Sequence, residues 1–328
     1  LRRSVYKIDQ KGVKTKLSES EGTNSADFSA NYAYFVNNYS NANTPAVITV
    51  NETKSKKVLR VLQDNAALRE KLASTSFSKK EFFKVRTASD IELNAWIVKP
   101  VNFDESKKYP VLMVQYSGPN SQQVLDKYGF DWEHYLAANG IIVVSVDGRG
   151  TGARGEAFRK CTYLRMGELE SRDQVEAAQA LGKLPYVDAK RIAIWGWSFG
   201  GYNTLMSMSV GNGTFKAGIA VAPPTDWKYY DSVYTERFMR TPKENFSGYA
   251  ATSPIRLAKD LQGKLLLVHG TADDNVHFQN CTEYAEHLVQ LGKQFDMQVY
   301  TNRNHGIYGG NTRNHLYTRL TNFFLNNL

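Results

Sequence analysis

The chain has 328 residues, 42% hydrophobic and 22% charged, with a formal net charge of +9. That length allows one large domain or a large one beside a small one, and the composition argues against disorder. No run approaches the ~18–20 consecutive apolar residues a membrane helix needs, residues 1–6 lack the apolar stretch of a signal peptide, and lysines scattered in pairs such as Lys56-Lys57 and Lys107-Lys108 argue against a nucleic-acid face.

The absence of an initial methionine suggests a fragment or a processed chain. Residues 5–9, 32–39, 46–50 and 57–62 read as short strands separated by Gly, Asn, Ser and Pro turns. So few strands bury little core alone, which suggests an incomplete repeat architecture over residues 1–62. Residues 64–73, with Leu68 and Leu72 four apart and Asp64 as N-cap, read as a short helix that opens a second region, 63–328.

From Lys84 the pattern changes. Residues 84–87 and 92–98 pair across a Ser89-Asp90 turn, and apolar runs at 111–114, 141–146, 192–195, 217–221, 265–268 and 297–300 then alternate with helical stretches. The helical stretches are 132–138, 168–181, 202–208, 280–291 and 316–325. Alternation of this kind predicts an α/β fold with a mostly parallel sheet covered by helices, and places ligands beyond the carboxyl ends of its strands.

Gly196-Trp197-Ser198-Phe199-Gly200-Gly201 follows one of those strands and opens a helix, the setting that makes a G-x-S-x-G match meaningful and points to an α/β-hydrolase. Its serine needs a base, and the chain order in that fold is Ser, acid, His. Of His269, His277, His287, His305 and His315, His305 lies in a loop past the last strand; His269 ends a strand, and the others fall in or near helices. The acid should follow the preceding strand, where Asp273 and Asp274 are equally placed to orient the imidazole.

An oxyanion hole needs two donors, one of them the Phe199 backbone N–H. The loop Gln115-Tyr116-Ser117-Gly118-Pro119 has no HGGG-type pair, so the Tyr116 hydroxyl is a candidate for the second, unless its ring merely packs. Residues 147–152 fit neither G-x-G-x-x-G nor a Walker loop, and Cys161 and Cys281 fit no metal spacing, so no cofactor and no metal are expected. The aromatic cluster from Trp227 to Tyr234 is either core or the wall of a flat pocket suited to a proline ring; a helix would put Tyr230 and Tyr234 on one face.

Trp195-Gly196-Trp197-Ser198-Phe199-Gly200-Gly201-Tyr202, the run Tyr229 to Arg237, and His269-Gly270-Thr271-Ala272-Asp273-Asp274-Asn275-Val276-His277-Phe278 together resemble the dipeptidyl-peptidase branch of the prolyl oligopeptidase family. The resemblance covers the hydrolase region and reaches into the β-rich start. It implies that residues 1–62 are the end of a β-propeller plus return strands, and that the enzyme releases N-terminal X-Pro or X-Ala dipeptides from peptides through an acyl-enzyme. It also implies Asp273 as the acid and Tyr116 as the oxyanion tyrosine. Trp227, Tyr230, Tyr234 and Val276 become the proline-pocket walls, and Asn275 the holder of a substrate carbonyl.

Two pocket positions depart from the family. Phe199 stands where mammalian relatives have tyrosine, and Pro224 replaces a small aliphatic residue; Ala217 stands where animal relatives have a disulfide cysteine. The glutamate pair and arginine with which the family anchors a substrate amine belong to the propeller region upstream of Leu1. A homodimer through the last helices and a periplasmic or cell-surface location are further implications. The alternatives are a broader oligopeptidase, an acylaminoacyl-peptidase or an esterase, or a module that binds without catalysis, because a triad does not choose its acyl donor.

Overall fold

The computed structural model describes residues 1–328, which form two compact units. The first comprises Leu1–Glu81, Val98–Asn102 and Val124–Asn139. In it β1 (Tyr6–Ile8) and β2 (Lys14–Lys16) make an antiparallel ribbon, and β3 (Thr23–Phe28), β4 (Tyr34–Asn41), β5 (Thr44–Glu52) and β6 (Val58–Gln63) make a four-stranded antiparallel sheet in chain order. Strands β2 and β3 lie outside the strands that the sequence pattern marks. The inward position of β3 is Asn24, whose amide donates to the Arg3 and Ser20 carbonyls and whose Oδ1 accepts from Asn37 at 3.1 Å, so the apolar alternation that marks a strand is missing.

Helix α1 (Ala66–Ala73) starts two residues later than its sequence suggests, and Asn65, in left-handed geometry at φ 52°, stands at the cap in place of Asp64. Asp64 still contributes, accepting from the Ala66 N–H at 2.9 Å. Helix α2 (Trp132–Ala138) matches its expected bounds and is capped by Asp131.

The second unit, Phe82–Ile97, Phe103–Gln123 and Gly140–Leu328, carries an eight-stranded sheet. Its strands are β7 (Lys80–Arg86), β8 (Glu92–Val98), β9 (Tyr109–Val114), β10 (Ile142–Asp147), β11 (Val187–Trp197), β12 (Ala217–Val221), β13 (Lys264–Gly270) and β14 (Asp296–Tyr300), in spatial order 14-13-12-11-9-10-8-7. Pairings from β10 through β14 are parallel. Every residue of β10 and β12 is buried, which explains why they are apolar but for Ser145 and Asp147 of β10. From β9 the chain steps outward to β10, then jumps back to β11 on the other side of β9. The loops after β9 and β11 therefore flank the point where the winding reverses, the place where open α/β sheets bind ligands.

Helices α3 (Glu156–Lys160), α4 (Glu168–Leu181), α5 (Phe199–Val210), α6 (Ser232–Met239), α7 (Phe246–Ala251), α8 (Pro254–Leu257), α9 (Gln279–Gln290) and α10 (Thr312–Asn327) fill the connections. Helix α5 packs on β11, β12 and α4. Against the usual rule, α4 turns a polar stripe inward: Glu170, Asp173 and Gln174 are buried. Asp173 holds the loop after β10 through Arg149 at 2.6 Å, and Gln174 donates to the Val146 carbonyl and the Ser117 hydroxyl.

Glu170 is the costly member of that stripe. One of its oxygens accepts from the Gly167 N–H at 2.8 Å, and burial pushes the carboxyl up to about 8, hydrogen bonds from its own backbone N–H, the Gly167 N–H and the Thr162 hydroxyl acting in the opposite direction. In the unfolded chain it would ionise near pH ~4.3, so between those values the folded protein holds a proton that the unfolded chain has released. Its contribution to stability is thus complete at low pH and is lost as pH rises through the folded value. Glu170→Gln is expected to flatten the dependence of melting temperature on pH between about pH 5 and 8. Melting curves of both proteins over that range check this, and parallel curves would contradict it.

Candidate active site

Ser198 occupies the one-residue joint between β11 and α5 at φ 58° and ψ −120°, a conformation that costs a non-glycine residue about 1–3 kcal/mol. The surrounding backbone holds it there: its N–H donates to the Val221 carbonyl at 2.8 Å, and its carbonyl accepts from Tyr202 at 2.9 Å. The flanking glycines are required by close approach. A Cβ on Gly196 would stand 2.4 Å from the Gly200 carbonyl carbon, and one on Gly200 would stand 2.5 Å from the Gln115 carbonyl oxygen. The Phe199 N–H opens the helix and so has no acceptor within it.

The Gln115 side chain ties this turn to the loop after β9. Its amide donates to the Gly200 carbonyl at 2.7 Å and to Thr204 at 3.2 Å, and its oxygen accepts from Ser117 and Asn203. This network, buried throughout, leaves no trace in the sequence, where a lone glutamine gives no signal. It places Tyr116, whose hydroxyl reaches Ser198; burial pushes the phenol above its ordinary value, and hydrogen bonding to Ser198 offsets part of the shift. The phenol therefore keeps its proton at neutral pH and is available as a donor.

Asp273 and His305 meet in the loops after β13 and β14, with Nδ1 of the imidazole donating to the Asp273 Oδ2 at 2.7 Å. The other carboxylate oxygen accepts from the Asn275 and Val276 N–H groups at 3.0 and 2.9 Å. Burial alone would raise this carboxyl, but hydrogen bonds from His269, His305 and the Asn275 N–H outweigh it and hold Asp273 ionised far below the usual carboxylate range. Asp274 is exposed. The His305 loop is fastened by the Trp197 indole, which donates to the His305 carbonyl at 3.0 Å and carries the Arg313 guanidinium over its ring. Trp197 was legible in the motif only as the variable residue beside the serine.

The aromatic cluster turns out to be both core and wall. Trp227, Phe199 and Tyr202 are buried together, with ring centroids 4.7–5.6 Å apart, whereas Tyr230 and Tyr234 are partly exposed at the cluster's edge. A single helix does not align the last two. Asp231 caps α6, so Tyr230 precedes the helix in extended backbone, yet the rings still meet edge to face at 5.3 Å. Pro224 and Val276 are buried, and Asn275 is exposed with its Oδ1 accepting from the Tyr230 hydroxyl at 2.7 Å.

Comparison with known proteins agrees with this arrangement. Residues 128–328 match the model of the prolyl oligopeptidase family. The chain is 42% identical over 306 residues to dipeptidyl peptidase 4 of Felis catus, covering 91% of this chain and 39% of that protein. It is 40% identical over 283 residues to prolyl endopeptidase FAP of Mus musculus, covering 84% of this chain and 37% of that protein. The crystal structure of Porphyromonas gingivalis dipeptidyl peptidase 4 superposes with a TM-score of 0.98 at 64% identity, covering 100% of this chain and 46% of that one. The chain thus spans less than half the length of these relatives. With the hydrolase sheet, the serine turn and a family match over most of the second unit in agreement, the chain belongs to the prolyl oligopeptidase family.

Proposed function

We propose that the chain is the catalytic portion of a serine peptidase that releases N-terminal dipeptides ending in Pro or Ala. The observation that carries this reading is the strained Ser198 with the Tyr116 hydroxyl in its reach, and the Asp273–His305 pair in the loops after β13 and β14, all at the carboxyl ends of strands of one mostly parallel sheet. In the proposed mechanism Ser198 Oγ attacks the scissile carbonyl and passes its proton to His305 Nε2. Asp273 keeps the imidazole in the tautomer with Nδ1–H and stabilises its cation, while the Phe199 N–H and the Tyr116 hydroxyl take the developing oxyanion. His305 then returns the proton to the leaving amine, and water attacks the acyl-enzyme by the reverse route.

The residue before the scissile bond would rest among Tyr230, Tyr234, Trp227, Phe199, Val276 and Pro224. Because Asn275 Oδ1 already accepts from Tyr230, its amide N–H remains to donate to the substrate carbonyl before that residue. Residues 1–62 are proposed as the end of a β-propeller with its return strands, and 63–328 as the hydrolase domain. Support comes from β6, all of whose residues are exposed, Val58, Leu59, Val61 and Leu62 among them, at the end of its sheet. A homodimer and an extracytoplasmic setting rest on the resemblance alone.

The test compares chromogenic Gly-Pro, acetyl-Gly-Pro and simple ester substrates. A dipeptidyl peptidase cleaves the free peptide in preference to the blocked one; preference for the blocked peptide would make this an oligopeptidase or acylaminoacyl-peptidase.

A further inference from the structure

Asp273 is flanked by two imidazoles. Besides His305 Nδ1 at 2.7 Å, the Nε2 of His269 lies 3.3 Å from the same Asp273 oxygen, Oδ2, and 2.8 Å from the Val276 carbonyl. Both neighbours of that nitrogen are acceptors, so Nε2 carries the proton and shares it between them. His269 is buried, its ring stands edge-on to Phe278 at 5.6 Å, and its Nδ1 has no hydrogen-bond partner. The only polar engagement of this buried ring is therefore at the nitrogen that meets the acid, while its other nitrogen is left unsatisfied.

We infer that His269 is a positioning residue for the proposed triad, donating from Nε2 to Asp273 so that the carboxylate stays fixed and ionised opposite His305. The inference rests on the reading of Ser198, His305 and Asp273 given above. With His269 in place, each Asp273 oxygen meets two donors: His305 and His269 on one, the Asn275 and Val276 N–H groups on the other. A carboxylate so surrounded is held in one plane, and its remaining strong interaction is the one that aligns the His305 ring toward Ser198. Removing the His269 donor would let the carboxylate rotate and blur that alignment, with no loss of a group that touches substrate.

Two measurements test this. In the unaltered chain, nitrogen-edited NMR of the imidazoles should show His269 protonated at Nε2 with a bare Nδ1; a proton on Nδ1 would overturn the inference whatever the variants do. The second measurement is the rate of Ser198 labelling by a fluorophosphonate, read well below each protein's melting temperature. His269→Asn, whose shorter amide does not reach Asp273, should label about tenfold more slowly than the unaltered chain, the size expected for losing one hydrogen bond to a charged group. His269→Gln, whose amide reaches the Nε2 position, should recover most of that loss. If His269 merely closes the loop onto Val276, melting temperatures will fall while labelling rates of the folded proteins stay equal, which would refute the inference. Failure of the unaltered chain to label would instead refute the reading of Ser198 itself.

Discussion

Ser198→Ala is expected to lower peptide turnover by roughly 10⁶-fold, the effect of removing a nucleophile from an intact triad, while leaving the fold in place. Several structural features lead to so large an effect. The β11–α5 joint holds Ser198 at φ 58°, glycines on either side leave no room for side chains, and the Gln115 network fastens the turn from behind. All of that backbone strain is supported by bonds that the serine hydroxyl does not make. Alanine can occupy the joint at similar cost, so the variant should melt near the unaltered protein while losing acylation, as a melting curve and a progress curve side by side would show. A variant retaining appreciable acyl transfer would mean that another side chain carries the chemistry.

Tyr116→Phe is expected to lower kcat by about 10²–10³-fold with little change in KM, the loss seen when one oxyanion donor is removed. The ring would keep its place, because Tyr116 packs 6.0 Å from Phe199 and its loop is held by Gln115 and Gln174 through Ser117. Only the hydroxyl near Ser198 would go. The Phe199 N–H would then face the oxyanion alone, and charge that develops only in the transition state would lose a donor, which is why kcat should fall and KM should not. Steady-state kinetics on a Gly-Pro substrate check this; a rise in KM with kcat unchanged would assign the hydroxyl to substrate binding instead.

The parallel sheet was legible because buried strands such as Ala217–Val221 write themselves as apolar runs, Ile142–Asp147 being interrupted only by Ser145 before its terminal Asp147. The serine turn was legible because its glycines answer a steric demand that no other residue meets. Less legible was whatever depends on polar groups buried in pairs. Asn24 hides strand β3, and the inward stripe of Glu170, Asp173 and Gln174 runs against hydrophobic patterning. The choice between Asp273 and Asp274 shows the limit most directly. Adjacent acids in one loop are equivalent by chain order; only the family resemblance separates them in the sequence, and the fold turns Asp273 onto His305 at 2.7 Å and leaves Asp274 exposed. Tyr230 and Tyr234 make the same point in reverse, since they meet although Tyr230 lies outside the helix that their spacing suggests.

The central claim is that Ser198, driven by His305, forms the acyl-enzyme. Its most direct test is peptide mapping of the chain after reaction with a fluorophosphonate, by mass spectrometry. The account predicts a single covalent adduct on the peptide containing Ser198, lost in His305→Ala. An adduct on any other residue, or one formed equally fast without His305, would contradict it.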